Sequence, residues 1–112
     1  MKKVEIIVKP AKYEAVKNGL IEAGVSGMTV SRVEGYGFQK KKIDVLKGKE
    51  TAVGFSEKVK IEIVLAEGEV KSIIDSVIGS ARTGRLGDGK IFIYDVGGAV
   101  RIRTGEKDKE AL

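Results

Sequence analysis

The run Lys58-Val59-Lys60-Ile61-Glu62-Ile63-Val64-Leu65, followed by Val70, Ile73, Ile74, Val77, Ile78 and Ala81, decides the fold. In its first part Val59, Ile61, Ile63 and Leu65 alternate with Lys58, Lys60, Glu62 and Val64. That period of two predicts a strand with one buried face. In its second part the apolar residues recur three and four apart, which lines one face of a helix. Glu67 and Glu69 stand before this helix and Arg82 after it, each at the end where the helix dipole favours its sign. Ile91 to Val96 reads as the strand that follows.

The same order is written in the first third of the chain. Val4, Ile6 and Val8 alternate with Lys3, Glu5 and Lys9, with Ile7 as an apolar exception. Pro10 stops that strand and can open a helix, because its missing N–H costs nothing in a first turn. Tyr13, Val16, Leu20 and Ala23 share one helical face, and Gly24 is a natural stop. Met28 to Tyr36, rich in Thr, Val and Tyr, reads as a strand. Strand–helix–strand twice over in 112 residues predicts one α+β domain spanning the chain. Its architecture is a ferredoxin-like βαββαβ sandwich, four antiparallel strands with two helices on one face.

Composition narrows the chemistry. The chain has no cysteine and no histidine, which excludes disulfides, thiol nucleophiles, Cys/His zinc sites and imidazole acid–base catalysis. Carboxylates are plentiful, but no spacing singles out a catalytic pair, so an enzyme is disfavoured. The formal charge of +5 suits an anionic ligand or partner. No apolar run approaches the ~20 residues of a membrane span, and no signal-peptide core follows Met1-Lys2-Lys3, so the expected location is the cytoplasm.

Three segments carry candidate chemistry. Gly37 to Glu57 separates the second and third strands without clear periodicity, and Lys40, Lys41, Lys42, Lys47 and Lys49 make it basic. Charge alone fits a solvated loop equally well, whereas the length favours a contact surface. Thr83-Gly84-Arg85-Leu86-Gly87-Asp88-Gly89-Lys90 packs three glycines and two basic side chains into one turn. Glycines let backbone N–H groups converge on an anion. The stretch is no Walker A loop, because Ile91 stands where the magnesium-binding Ser or Thr belongs and because it runs from helix to strand. The alternative is a helix stop followed by a tight turn. In Arg101-Ile102-Arg103, an extended backbone would put both guanidiniums on one face, a pair suited to polyphosphate, or simply an exposed strand end. Gly35-Tyr36-Gly37 is too weak for a dinucleotide fingerprint, since Lys40 takes the place of the third glycine.

At these residues the chain resembles the PII nitrogen-regulatory signal proteins, from Met1-Lys2-Lys3-Val4-Glu5 through Gly27-Met28-Thr29-Val30 to Arg101-Ile102-Arg103-Thr104-Gly105-Glu106. The resemblance implies a homotrimer that binds ATP or ADP in clefts between subunits and senses 2-oxoglutarate with magnesium-ATP. It also implies that the long loop, residues 37–57, docks on partners such as an ammonium transporter. On that resemblance Gly87, Asp88, Gly89 and Lys90 would cradle phosphates, and Arg101 and Arg103, in the C-terminal segment 97–112, would reach them across the cleft. Thr29 and Val64 would line the adenine pocket. Gly37 and the backbone of Phe38 and Gln39 would close over the phosphates. Gln39 would help hold Mg2+ and 2-oxoglutarate, and Lys58 would pair with a 2-oxoglutarate carboxylate.

The departures lie in the loop. Phe38 replaces a common arginine, and Leu46-Lys47-Gly48-Lys49-Glu50-Thr51 replaces the signature Tyr-Arg-Gly-x-x-Tyr, so Thr51 stands where relatives carry a modifiable tyrosine and Lys49 where some carry a phosphorylated serine. A PII-like regulator with another second ligand and partner is the nearest alternative. A small RNA-binding ferredoxin-like domain fits the positive charge, but strands three and four offer only Phe92 and Tyr94 for base stacking, so no nucleic-acid partner is expected.

Overall fold

The computed structural model describes residues 1–39 and 52–112. Four strands form one antiparallel sheet: β1 (Lys2–Val8), β2 (Thr29–Gln39), β3 (Ala52–Leu65) and β4 (Lys90–Asp95). Their order across the sheet is β2-β3-β1-β4. Among the described residues two α-helices, α1 (Tyr13–Glu22) and α2 (Val70–Ala81), complete the expected ferredoxin-like α+β fold.

Register explains which residues are inside. Val4 pairs with Ile63 and Ile6 with Ile61, so the alternations of β1 and β3 reinforce one another on a single face. That face is covered by Val16 and Leu20 of α1 and by Ile73, Val77 and Ala81 of α2, and together these side chains form the core. The helices meet closely because Gly19 faces Ser76 and Ser80; a Cβ at Gly19 would lie 2.9 Å from the Ser76 hydroxyl. Pro10 opens a single 3-10 turn, Pro10–Lys12, that feeds α1, and Gly24, at φ +97°, ends it. A positive φ of this kind is cheap only without a Cβ.

Among the described residues no helix covers the other face of the sheet. Lys3, Glu5, Lys60, Glu62 and Tyr94 share it, with Lys3 Nζ 3.1 Å from Glu62 and 4.7 Å from the centre of the Tyr94 ring.

The strands differ from the sequence reading by one residue at the start of β2 and at both ends of β4, and by far more where β2 meets β3. β2 continues past Tyr36 to Gln39, and β3 begins at Ala52, seven positions before the clean alternation at Val59. Residues 37–39 and 52–57 are therefore a paired ribbon, in register from Gly37–Gly54 to Gln39–Ala52. No alternation marks this ribbon because no described helix covers it: Tyr36 and Phe55 remain 66% and 65% exposed, their rings 5.0 Å apart.

Candidate functional site

A cleft of about 700 Å³ opens where the C-terminal end of β1 meets the start of β4 and the base of the β2–β3 ribbon. Its wall is the turn 83–90. Gly84, Gly87 and Gly89 in that turn have φ of +82°, +92° and +108°. Gly89 is forced as well by contact: a Cβ there would overlap the Ile7 carbonyl oxygen and lie 2.9 Å from its carbon. The turn is thus pressed onto the backbone of β1.

Asp88 closes the turn from within. Its Oδ2 accepts the N–H of Thr83 at 2.8 Å and of Gly84 at 2.9 Å. Its Oδ1 accepts the Thr83 hydroxyl and lies 3.3 Å from Lys9 Nζ. These bonds, the Thr83 hydroxyl first and the Thr83 N–H next, hold the carboxyl far below the usual aspartate range. The Asp88 side chain is committed to the turn, and what it offers the cleft is backbone.

Cations converge on the same place. Lys58 Nζ donates to the carbonyl oxygen of Gly87 at 2.7 Å. Burial, and then the Lys9 ammonium nearby, push the Lys58 ammonium below its ordinary value. An anion in the cleft would offset both effects. Lys90 and Arg85 also line it, as do Gly37 and the ring of Phe92. Four basic side chains, Lys9, Lys58, Arg85 and Lys90, against two acidic ones, Glu57 and Asp88, line one cleft with glycine backbone and an aromatic ring, an arrangement that could take an anion carrying a flat, apolar group.

Of the residues expected at the site, Gly37, Lys58, Gly87, Asp88, Gly89 and Lys90 are brought together here. Phe38 and Gln39 continue β2 beside them, paired with Val53 and Ala52. Lys47 and Thr51 lie outside the described residues. Thr29 and Val64 occupy the far end of the sheet face that no described helix covers. Thr29 pairs with Glu62, and Val64 pairs with Lys3 and borders a second cavity of about 360 Å³ shared with Leu112.

The arginine pair is also elsewhere, and it is not extended. Residues 102–104 form a turn closed by the Gly105 N–H on the Arg101 carbonyl at 2.7 Å. Gly105 permits this with φ +73°. Arg101 bonds Glu106 at 2.9 Å and the Leu112 carbonyl at 3.1 Å, which ties it to the Val64 end of the molecule. Arg103 is exposed and does not line the cleft. The alternation Arg-Ile-Arg imitates a strand, but Glu106 pulls Arg101 back across the turn.

Lys9 and Ile7 were not anticipated at the site. Ile7 breaks the alternation of β1, and it does so because its side chain faces the cleft rather than the core. That exception was the available signal. Lys9 is one basic residue among many, and only the three-dimensional approach of the turn gives it meaning.

A sequence model of one family, described as Nitrogen regulatory protein P-II, matches residues 1–106. A Nitrogen regulatory protein P-II of Synechocystis sp. is 54% identical over 112 residues, covering 100% of both chains. Nitrogen regulatory protein P-II 1 of Escherichia coli K12 is 47% identical over the same 112 residues, again covering 100% of both. The solved B. subtilis GlnK-ATP complex superposes with a TM-score of 0.82 at 39% identity, covering 99% of this chain and 94% of that one.

Proposed function

This chain belongs to the nitrogen regulatory protein P-II family, and on that premise we propose that it is a trimeric signalling protein, not an enzyme. In this reading it binds ATP or ADP in clefts between subunits and reports the nitrogen state to a partner protein. The observation that carries the reading is the division of the expected site. Lys90 and the glycine turn stand at one end of the chain; Val64 and Arg101 stand at the other, linked through Leu112. Val64 is six positions beyond Lys58 on β3, roughly 20 Å at about 3.3 Å per residue. A second copy, placed so that its Arg101 and Arg103 meet the first copy's Lys90, completes one cleft. Repeating that contact around a ring completes all of them.

In such a cleft the N–H groups of Gly87 and Gly89 and the Lys90 ammonium bind phosphate oxygens, and the neighbour's arginines add bidentate contacts. The neighbour's Thr29 and Val64 border the base, and Ile7 and Phe92 give it an apolar floor. Magnesium favours phosphate and water oxygens and would arrive on the triphosphate. The Asp88 carboxylate is already filled by Thr83, Gly84 and Lys9, and the family resemblance assigns the ion to Gln39. Lys58, bonded to the Gly87 carbonyl and pushed below its ordinary value by burial and Lys9, suits a carboxylate of 2-oxoglutarate. The arm of residues 37–57, whose ends are the paired ribbon, would carry contacts to an ammonium transporter or another nitrogen-metabolism protein in the cytoplasm. Among the described residues no helix is long and apolar enough to cross a membrane. A regulator with the same nucleotide cleft but a different second ligand is the other reading, favoured by Phe38 and Thr51.

Mixed trimers test the divided cleft. Subunits carrying Lys90→Ala and subunits carrying Arg103→Ala each lose ATP affinity alone. Co-assembled, they regain wild-type affinity at those clefts where a native Lys90 meets a native Arg103. Calorimetry that finds no recovery contradicts the division. Titration with 2-oxoglutarate in magnesium-ATP then separates the two readings, since absence of heat favours the other second ligand.

A further inference from the structure

The anion turn contains three glycines at positive φ among residues 84–89. Glycine loses more freedom on ordering than any other residue, so such a turn left to itself visits many shapes. In few of them do its amides converge. Something must select the receptive shape before a ligand arrives, or binding must bear the cost of ordering it.

We infer that Thr83 and Asp88 are positioning residues that hold the turn in its anion-receptive shape without touching the ligand. The inference rests on the nucleotide reading and deepens it. A carboxylate has two oxygens and about four lone-pair directions. Asp88 Oδ2 accepts the N–H groups of Thr83 and Gly84 at 2.8 and 2.9 Å. Its Oδ1 meets the Thr83 hydroxyl and, at 3.3 Å, Lys9 Nζ. No direction is left for a metal ion or a donor on the ligand.

Thr83 is the other half of the clasp. Its hydroxyl donates to Asp88 and accepts the Arg85 N–H at 3.2 Å, so one side chain fixes backbone on both sides of Gly84. The clasp closes the end of the turn nearest α2. The opposite end is held by Gly89 against the Ile7 carbonyl, and the middle by Lys58 on the Gly87 carbonyl at 2.7 Å. Lys9 joins the clasp to the last residues of β1, and its charge beside Asp88 keeps a carboxylate compatible with a neighbouring phosphate.

The experiment is a double-mutant cycle on the intact assembly, read by calorimetry with ATP and with ADP, each with and without Mg2+. Thr83→Val keeps the shape of the side chain and removes the hydroxyl. It should weaken both nucleotides about tenfold, the order expected for a lost hydrogen bond to a charged group, equally with and without Mg2+. Thr83→Ser restores the hydroxyl and should return affinity to within about twofold of wild type. Asp88→Asn should weaken both nucleotides too, and the double variant Thr83→Val/Asp88→Asn should be no weaker than Asp88→Asn alone, because the two act as one unit. Additive losses, or an Asp88→Asn defect seen only with Mg2+, would show that Asp88 touches the ligand or its metal and would overturn the inference. So would wild-type affinity in Thr83→Val. Wild-type protein that binds neither nucleotide overturns the underlying reading instead. If a variant fails to assemble, amide exchange in the unliganded wild type decides: protected Thr83 and Gly84 amides support the clasp, and free-peptide exchange there removes it.

Discussion

Two turns in this chain are built from the same parts and come to different ends. The turn 83–90 and the turn 101–106 each combine basic side chains, a glycine at positive φ, and a carboxylate bonded to a threonine hydroxyl: Asp88 to Thr83, and Glu106 to Thr104 at 2.8 Å. The first is seated on the sheet through Gly89, Lys9 and Lys58 and walls a cleft of its own chain. The second is joined to its flank by the isolated bridge Val100–Lys107 and leaves Ile102 fully exposed, at 100%. The contrast teaches that a cluster of cations becomes a site only when something fixes where they point. In the first turn the chain's own strands do so. In the second, a neighbouring copy would.

The sharpest way to break the comparison is to exchange what seats each turn. Gly89→Ala places a Cβ inside the Ile7 carbonyl at φ +108°, so backbone must move. Urea unfolding should show a loss of about 4 kcal/mol or more. Gly105→Ala, at φ +73° with nothing within 4 Å of its Cβ, should cost only about 1–2 kcal/mol for the backbone conformation. Similar losses at the two glycines would deny the difference in seating.

Next in size is Lys90→Ala, which on the proposed function should weaken ATP binding by about 1.5–3 kcal/mol with the fold and assembly unchanged. Unchanged affinity would remove Lys90 from the site. Acid titration gives a smaller, local effect. The folded-state Asp88 carboxyl is depressed, so its contribution is fully present above the ordinary aspartate value near ~3.9 and is lost only as pH falls through its lower folded value. Amide exchange should therefore find Thr83 and Gly84 still protected at about pH 4, where unperturbed aspartates are half protonated. Protection that disappears at that pH would mean the clasp is weaker than its bonds suggest. The smallest effect should be Thr104→Val, at about 0.5–1 kcal/mol of stability, since its hydroxyl bonds are exposed to water. A larger loss would mean that the second turn is seated after all.

The sandwich was legible because its core is periodic: Val59 to Leu65 and Val70 to Ala81 each state a face, and the two faces match. The ribbon at residues 52–57 was not, because a strand without a core has no inside to repeat. At the site, Gly87 to Lys90 stood out as a glycine-rich basic turn, but those residues alone fitted a helix stop and tight turn as well, and the phosphate role came with the family resemblance. Lys9 could not, because its partner Asp88 is 79 positions away in the chain. The arginine pair was seen but mis-shaped, because alternation says nothing of Glu106 folding back onto Arg101.

The ribbon has a consequence for how such a chain can change over generations. Residues of the core answer to each other, and a substitution at Leu20 or Ile61 must suit the packed core around it. Tyr36 and Phe55 answer chiefly to one another. A lineage can therefore rewrite this arm a pair at a time while the sandwich keeps its shape, and so acquire new listeners for an old signal without inventing a new protein.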